Sequence, residues 1–194
     1  YLISKGINDQ QIFYNYGLIL QKNRKLKEAE NFYRKAIRIK PDFDLAHCNL
    51  GSILKDLGKL KEAKETYQNA IIVNPNFAMA YSNLGNILRE LGELNEAEKL
   101  QRKAIEINPN FANAYSSLGT ILQDLGELNE AEKLQRKALE INPNFDLAYC
   151  NLGSILQDLG NSKAAEVSTR IAIKINPNYA NAYSNLGSIL KDAG

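Results

Sequence analysis

Residues 81–109 read YSNLGNILRELGELNEAEKLQRKAIEINP, and residues 115–143 read YSSLGTILQDLGELNEAEKLQRKALEINP, the same sentence 34 residues later. Looser copies lie on either side. Gly17, Gly51, Gly85, Gly119, Gly153 and Gly187 keep this beat, and so do Pro41, Pro75, Pro109, Pro143 and Pro177. A fixed period of about 20–50 residues marks a repeat array. Each unit is too small to bury its own apolar face, so units must stack on their neighbours.

Each unit reads as two helices joined by a tight turn. In the copy beginning at Ala78, the residues Ala80, Tyr81, Leu84, Leu88 and Leu91 recur at helical spacing. Gly92 supplies the left-handed conformation that ends such a helix. Leu94, Ala97, Leu100, Ala104 and Ile105 form the apolar side of the second helix, and its other side is Glu, Lys and Arg. Glu98 and Arg102 stand at i,i+4, where they can pair. Asn108-Pro109 closes the unit, because the residue before a proline is pushed out of the α region. The glycine at the Gly85 position costs about 1 kcal/mol relative to alanine in a helix interior. Its return in every unit implies close approach of the second helix, with Ala97 and Ala104 meeting it from the other side.

The expected organisation is one array over residues 1–194. It has full repeats at 10–43, 44–77, 78–111, 112–145 and 146–179, and the first helix of a sixth at 180–194. Residues 1–9 read as the end of a preceding, degenerate repeat. The chain therefore reads as a fragment, with any catalytic domain lying outside it. No apolar run reaches the length of a membrane span, so no membrane partner is expected. A net charge of +2 with no continuous basic stripe leaves nucleic acid without a groove. Lys22 to Lys40 is locally basic, and reads either as a solvated face or as a docking patch for an acidic partner. Cys48 and Cys150 are three repeats apart, beyond disulfide reach, so a reducing, cytoplasmic compartment is expected. No Gly-rich phosphate loop, GxSxG elbow or metal-ligand spacing is present; no cofactor, metal site or catalytic residue is expected. His47, the single histidine, falls in an aromatic slot and reads as a packed ring.

Aromatic-x-x-Leu-Gly-x-x-Leu, then Ala, Ala and Pro at this period, resembles the tetratricopeptide repeat. His47, Leu50, Gly51, Leu54, Gly58, Ala63, Tyr67, Ala70 and Pro75 carry the pattern in the second unit. The resemblance implies an all-α fold, a right-handed α-solenoid of stacked antiparallel helix pairs. Its first helices would line a concave face, and its function would be protein binding as a scaffold. The large aromatic that the family carries in its second helix is kept as Tyr33 and Tyr67. It becomes Gln101, Gln135 and Thr169 later, where a wider or wetter seam is expected.

Two places past the aromatic slot stand Asn15, Asn49, Asn83, Ser117, Asn151 and Asn185. This is similar to the asparagine ladder of the repeat arrays in O-linked N-acetylglucosamine transferases, which holds the backbone of an extended peptide. The expected peptide-binding residues are thus Asn15, Asn49, Asn83, Asn151 and Asn185. Selectivity would come from Ser52, Asn86, Thr120, Ser154 and Ser188 one turn on, then from Lys55 and Arg89, with Gln123, Gln157 and Lys191 in the same row. A side-chain amide carries donors and an acceptor, so it can pair with a peptide N–H and C=O together. The other readings of the asparagines are bonding between adjacent helices and inheritance by recent duplication. Similar arrays also precede glycosyltransferase domains and accompany sulfotransferase-like domains. The alternative expectation is therefore a substrate-recognition arm of a larger enzyme. End-to-end homo-oligomers through uncapped terminal helices are a further expectation.

Overall fold

The computed structural model describes residues 9–192, so the reading of residues 1–9 falls, but for Asp9, outside the described part. Among the described residues there are eleven α-helices and no strands. They are α1 (Gln10–Lys22), α2 (Leu26–Ile39), α3 (Asp44–Asp56), α4 (Leu60–Val73), α5 (Ala78–Glu90), α6 (Leu94–Ile107), α7 (Ala112–Asp124), α8 (Leu128–Ile141), α9 (Asp146–Asp158), α10 (Ser162–Ile175) and α11 (Ala180–Asp192). The architecture is all-α and of the α-solenoid class. Contacts divide the chain into two compact units, Tyr1–Leu91 and Gly92–Gly194, and within each unit successive helices pack on one another. None of the described helices is long and apolar enough to cross a membrane.

The turns follow from their residues. Gly58, at φ 74°, and Gly126, at φ 82°, end first helices in the left-handed region. The first repeat puts Arg24 at the corresponding place with φ 60°, a conformation that costs a non-glycine residue of order 1 kcal/mol or more. The second helices stop at Asn74, Asn108, Asn142 and Asn176, whose backbones are extended ahead of proline. Each of these asparagines accepts a hydrogen bond on Oδ1 from the N–H two residues on, at 3.1 or 3.2 Å. The side chain thereby makes the turn that the proline forces.

In the first unit, Tyr14 lies between Tyr33 and Phe43, with ring centroids 5.8 and 4.9 Å away. Tyr33 and Tyr67 press on the glycines of the preceding first helices. A Cβ built on Gly17 would sit 2.6 Å from Tyr33 Cε1, and one on Gly51 would sit 2.7 Å from Tyr67 Cε1. In the second unit the same contact is made by smaller side chains. A Cβ on Gly119 would meet Gln135 Nε2 at 2.8 Å and the Ala131 carbonyl at 3.1 Å. One on Gly153 would collide with Thr169 Oγ1. Of the expected wider or wetter seam, the widening is not found in the second unit, where Gln135 and Thr169 are fully buried, but Gln135 Oε1 is buried there without a hydrogen-bond partner. Gln135 bonds across the seam to a first-helix carbonyl, while Thr169 fills its place against Gly153 and bonds within its own helix. Gln135 donates to the Ser116 carbonyl at 2.9 Å, and Thr169 to that of Ala165 at 2.9 Å.

Clusters such as Leu118, Leu122, Ala131 and Ile155, or Leu152, Leu156, Ala165 and Ile189, form a core that runs from one helix pair into the next. On α1 and α11 the apolar side chains Tyr16, Ile19, Tyr183 and Leu190 stay exposed.

Candidate functional site

The row of asparagines lies along the first helices, and its side chains reach backward by one repeat. Asn49 Nδ2 donates to the Tyr14 hydroxyl at 3.0 Å, and Asn83 Nδ2 to Cys48 Sγ at 3.6 Å. In the second unit, Asn151 Nδ2 donates to Ser116 Oγ and to Thr120 Oγ1, both at 3.2 Å. Asn185 Nδ2 points at Cys150, 3.3 Å from Sγ and 3.5 Å from the carbonyl. Asn15 is exposed and accepts from Gln11 Nε2 on its own helix at 3.0 Å.

The amide nitrogens thus tie each of these first helices to the one before it. Both N–H groups of Asn151 are used in this way, which leaves only its oxygen for anything else. The Oδ1 atoms of Asn83, Asn151 and Asn185 accept nothing from the described residues. These side chains are half-buried, so the oxygens remain accessible.

The residues one turn on are placed beside this row. Thr120 bonds back to the Ser116 carbonyl at 3.0 Å while accepting from Asn151. Ser52 and Ser154 are half-buried, and Ser188 is exposed. The row after that forms a second set of inter-repeat bonds that the sequence reading missed. Lys55 Nζ meets Glu90 Oε1 at 2.7 Å, and both side chains are 39% exposed, so solvent screens the pair. Gln123 Nε2 donates to Ser154 Oγ at 3.0 Å and to Asp158 Oδ2 at 2.6 Å. Gln157 repeats this with Ser188 at 3.1 Å and Asp192 at 2.5 Å. The signal was available: from the second repeat on, Asp or Glu follows Lys55, Arg89, Gln123, Gln157 and Lys191. Asn86 and Arg89 are half-buried on the same helix face.

Above this polar surface, Leu45 and Met79 stand at equivalent places in the first unit and Leu147 in the second, each a little over 40% exposed. Within each unit the first helices therefore offer acceptor oxygens, hydroxyls and isolated apolar side chains.

Other candidate groups resolve as packing. His47 is buried, with Nε2 2.8 Å from the Pro41 carbonyl. Burial pushes the Cys48 thiol up to about 11, although the bond from Asn83 works against it, so the thiol is not a nucleophile at neutral pH. Part of the basic run near the N-terminus is paired: Arg34 holds Glu30 at 2.9 Å and Glu62 at 2.7 Å, and Lys59 reaches Glu30 at 3.0 Å. Burial raises the Glu30 carboxyl, but the bonds from Lys59 and Arg34 outweigh it and hold it below the usual carboxylate range. Among the described residues, no three His, Cys, Asp or Glu side chains gather as a metal site would require.

Comparison with solved structures places this arrangement among known folds. YrrB, reported as a TPR protein with an unusual peptide-binding site, is 25% identical; the match covers 94% of this chain and 94% of that one, with a TM-score of 0.66. TTC0263, a thermophilic TPR protein in Thermus thermophilus, is 20% identical over 94% of this chain and 99% of that one, with a TM-score of 0.80. MamA is 24% identical over 88% and 93%, with a TM-score of 0.69. No curated protein sequence matches the chain. Models of the tetratricopeptide repeat match residues 10–43, 32–65, 76–144 and 134–167, and a TPR repeat model matches residues 51–88. These matches run without a gap from residue 10 to residue 167, and the chain belongs to the tetratricopeptide repeat family.

Proposed function

We propose that the chain is a protein-interaction scaffold whose first-helix face binds an extended segment of a partner protein. The observation that carries this reading is the pair of unspent Oδ1 oxygens on Asn151 and Asn185 in the second unit, held in place because their amide nitrogens are bonded to the preceding repeat. A fixed acceptor loses little conformational entropy on binding, which raises affinity per bond. Helices pack about 8–10 Å apart and an extended chain advances about 3.3 Å per residue, so the oxygens of Asn151 and Asn185, one repeat apart, would meet peptide N–H groups about three residues apart. Contacts to backbone give affinity without sequence preference. In the second unit Leu147, with Thr120, Ser154 and Ser188 beside the row, supplies selectivity for an apolar side chain; in the first, Leu45 and Met79 stand likewise beside Ser52 and Asn86. The likeness to YrrB, a protein with a peptide-binding site, supports a polypeptide as the partner.

The test uses a peptide selected from an extended-peptide library by the intact chain. A version N-methylated at every third residue removes the N–H groups without touching the protein. Affinity falls at least tenfold for one of the three methylation frames if the oxygens accept peptide N–H groups. Equal affinity in all three frames sinks the proposal.

A further inference from the structure

α10 departs from the other second helices on its outward side, where the second unit has a wider form of a cleft of about 300 Å³ that the first unit lines with Arg34, Ile37, His47, Leu50 and Thr66. In the first unit, Arg34 on α2 is joined to Glu62 on α4 at 2.7 Å; in the second, Arg102 on α6 is joined to Glu130 on α8 at 3.0 Å. One repeat later the arginine is Arg136 on α8, and the place of the glutamate is taken by Ala164 on α10. Among the described residues Arg136 pairs with Glu132 of its own helix, at 2.8 Å, and sends no ion pair across this seam. Two further positions change together. Lys133 and Lys137 on α8 correspond to Val167 and Ile171 on α10. Val167 is 59% exposed, at a place the neighbouring repeat fills with a cation.

The cleft between α8 and α10 in the second unit is about 810 Å³. Its walls are Leu139, Tyr149, Leu152, Val167 and Ile171, and Arg136 and Lys163 stand at its rim. Glu140 also borders it, but its carboxylate is held by Lys137 at 2.9 Å. Asn151 is not among the residues that line it, so this cleft is separate from the peptide face proposed above.

We infer that this cleft docks an amphipathic helix of a partner protein, which places leucine-sized side chains against Val167 and Ile171 and a carboxylate on Arg136. The carboxylate takes the position that Glu62 and Glu130 hold in the other seams. A helix is favoured over an extended segment because both walls are helices whose backbone groups are already paired, so an extended chain would find no backbone partner. An amphipathic helix satisfies its own backbone and presents only side chains, the usual mode for an apolar groove. Lys163 adds to the charge complementarity at the rim, which speeds encounter and selects an acidic flank.

The probe is a fluorescently labelled alanine-based helical peptide with two leucines one turn apart and a flanking glutamate, measured by anisotropy. Ala164→Glu, and separately Val167→Lys with Ile171→Lys, restore residues that α8 carries at the matching positions, so both variants keep the fold; thermal melts confirm it. Saturable binding to the unmodified chain, weakened at least tenfold by either variant, is the expected result. Replacing the peptide's glutamate by glutamine weakens binding to the unmodified chain several-fold, and Asn83→Ala with Asn151→Ala leaves binding intact. Absence of saturable binding, or equal binding by the restored variants, overturns the inference. A concentration-dependent dimer that the same variants abolish also overturns it, by giving the cleft to a second copy of the chain.

Discussion

Replacing Gly51 by alanine tests whether the helix pairs are set by contact between a glycine and the second helix. The new methyl would sit 2.7, 2.8 and 2.9 Å from Cε1, Cζ and Cδ1 of Tyr67. That ring is 2% exposed and has nowhere to swing. Overpacking of this kind costs about 1–3 kcal/mol. Alanine returns about 1 kcal/mol through helix propensity, so the net loss is about 0–2 kcal/mol. Tyr67→Ala alone costs about 3–5 kcal/mol, since it empties the space the ring fills. In that background the methyl meets no ring, and Gly51→Ala should stabilise by up to about 1 kcal/mol. The change of sign is the signature, with a coupling of about 1–3 kcal/mol between the two sites. Urea unfolding followed by far-ultraviolet circular dichroism reads all four corners of the cycle. Gly187→Ala is the control, because nothing lies within 4 Å of its added Cβ, and it should stabilise. Equal effects of Gly51→Ala in both backgrounds would refute the packing argument.

Two other perturbations follow from the polar seams. Asn151→Ala removes the bonds to Ser116 and Thr120 from a half-buried site, and should cost about 1 kcal/mol in a thermal melt; a cycle with Ser116→Ala that shows no coupling would contradict the geometry. Cys48 is raised by burial to about 11, so the folded state holds the neutral thiol while the unfolded chain ionises from about pH 8.5. The unfolded state then binds fewer protons, and stability falls as pH rises from about 8.5 toward about 11. Cys48→Ala should flatten that part of the stability profile, and an unchanged slope would count against the burial of the thiol.

The helix pairs were legible because periodicity reports which side of a helix is apolar, and the glycine and proline marks report where helices stop. Gly51 and Gly153 could be read as points of close approach from their recurrence alone. What they approach, an aromatic ring at Tyr67 and a hydroxyl at Thr169, changes from repeat to repeat without opening the seam. Sequence read the loss of the aromatic as a wider or wetter seam, whereas Gln135 and Thr169 are fully buried and fill the space, Gln135 by bonding across to the Ser116 carbonyl.

The asparagine row was visible, but not its direction. A repeat length says that residues recur, not which residue of one repeat touches which residue of the next. That offset depends on how far one first helix slides along its neighbour, and no single unit encodes it. The bonds from Lys55 to Glu90 and from Gln123 to Asp158 were hidden for the same reason. The cleft beside α10 was legible by setting residues 128–141 over residues 162–175, where Glu130, Lys133 and Lys137 become Ala164, Val167 and Ile171.

The bonds that join successive repeats span only 28 to 35 residues of chain, as in Arg102 to Glu130 and Asn151 to Ser116. Loop closure over such distances is cheap, and it costs the same at every seam. Contact order therefore stays low however many repeats are added, which keeps folding fast and lets it start at any neighbouring pair. A duplicated repeat arrives with a donor for the repeat before it and an acceptor for the repeat after it. Such an array can lengthen without any existing seam being remade.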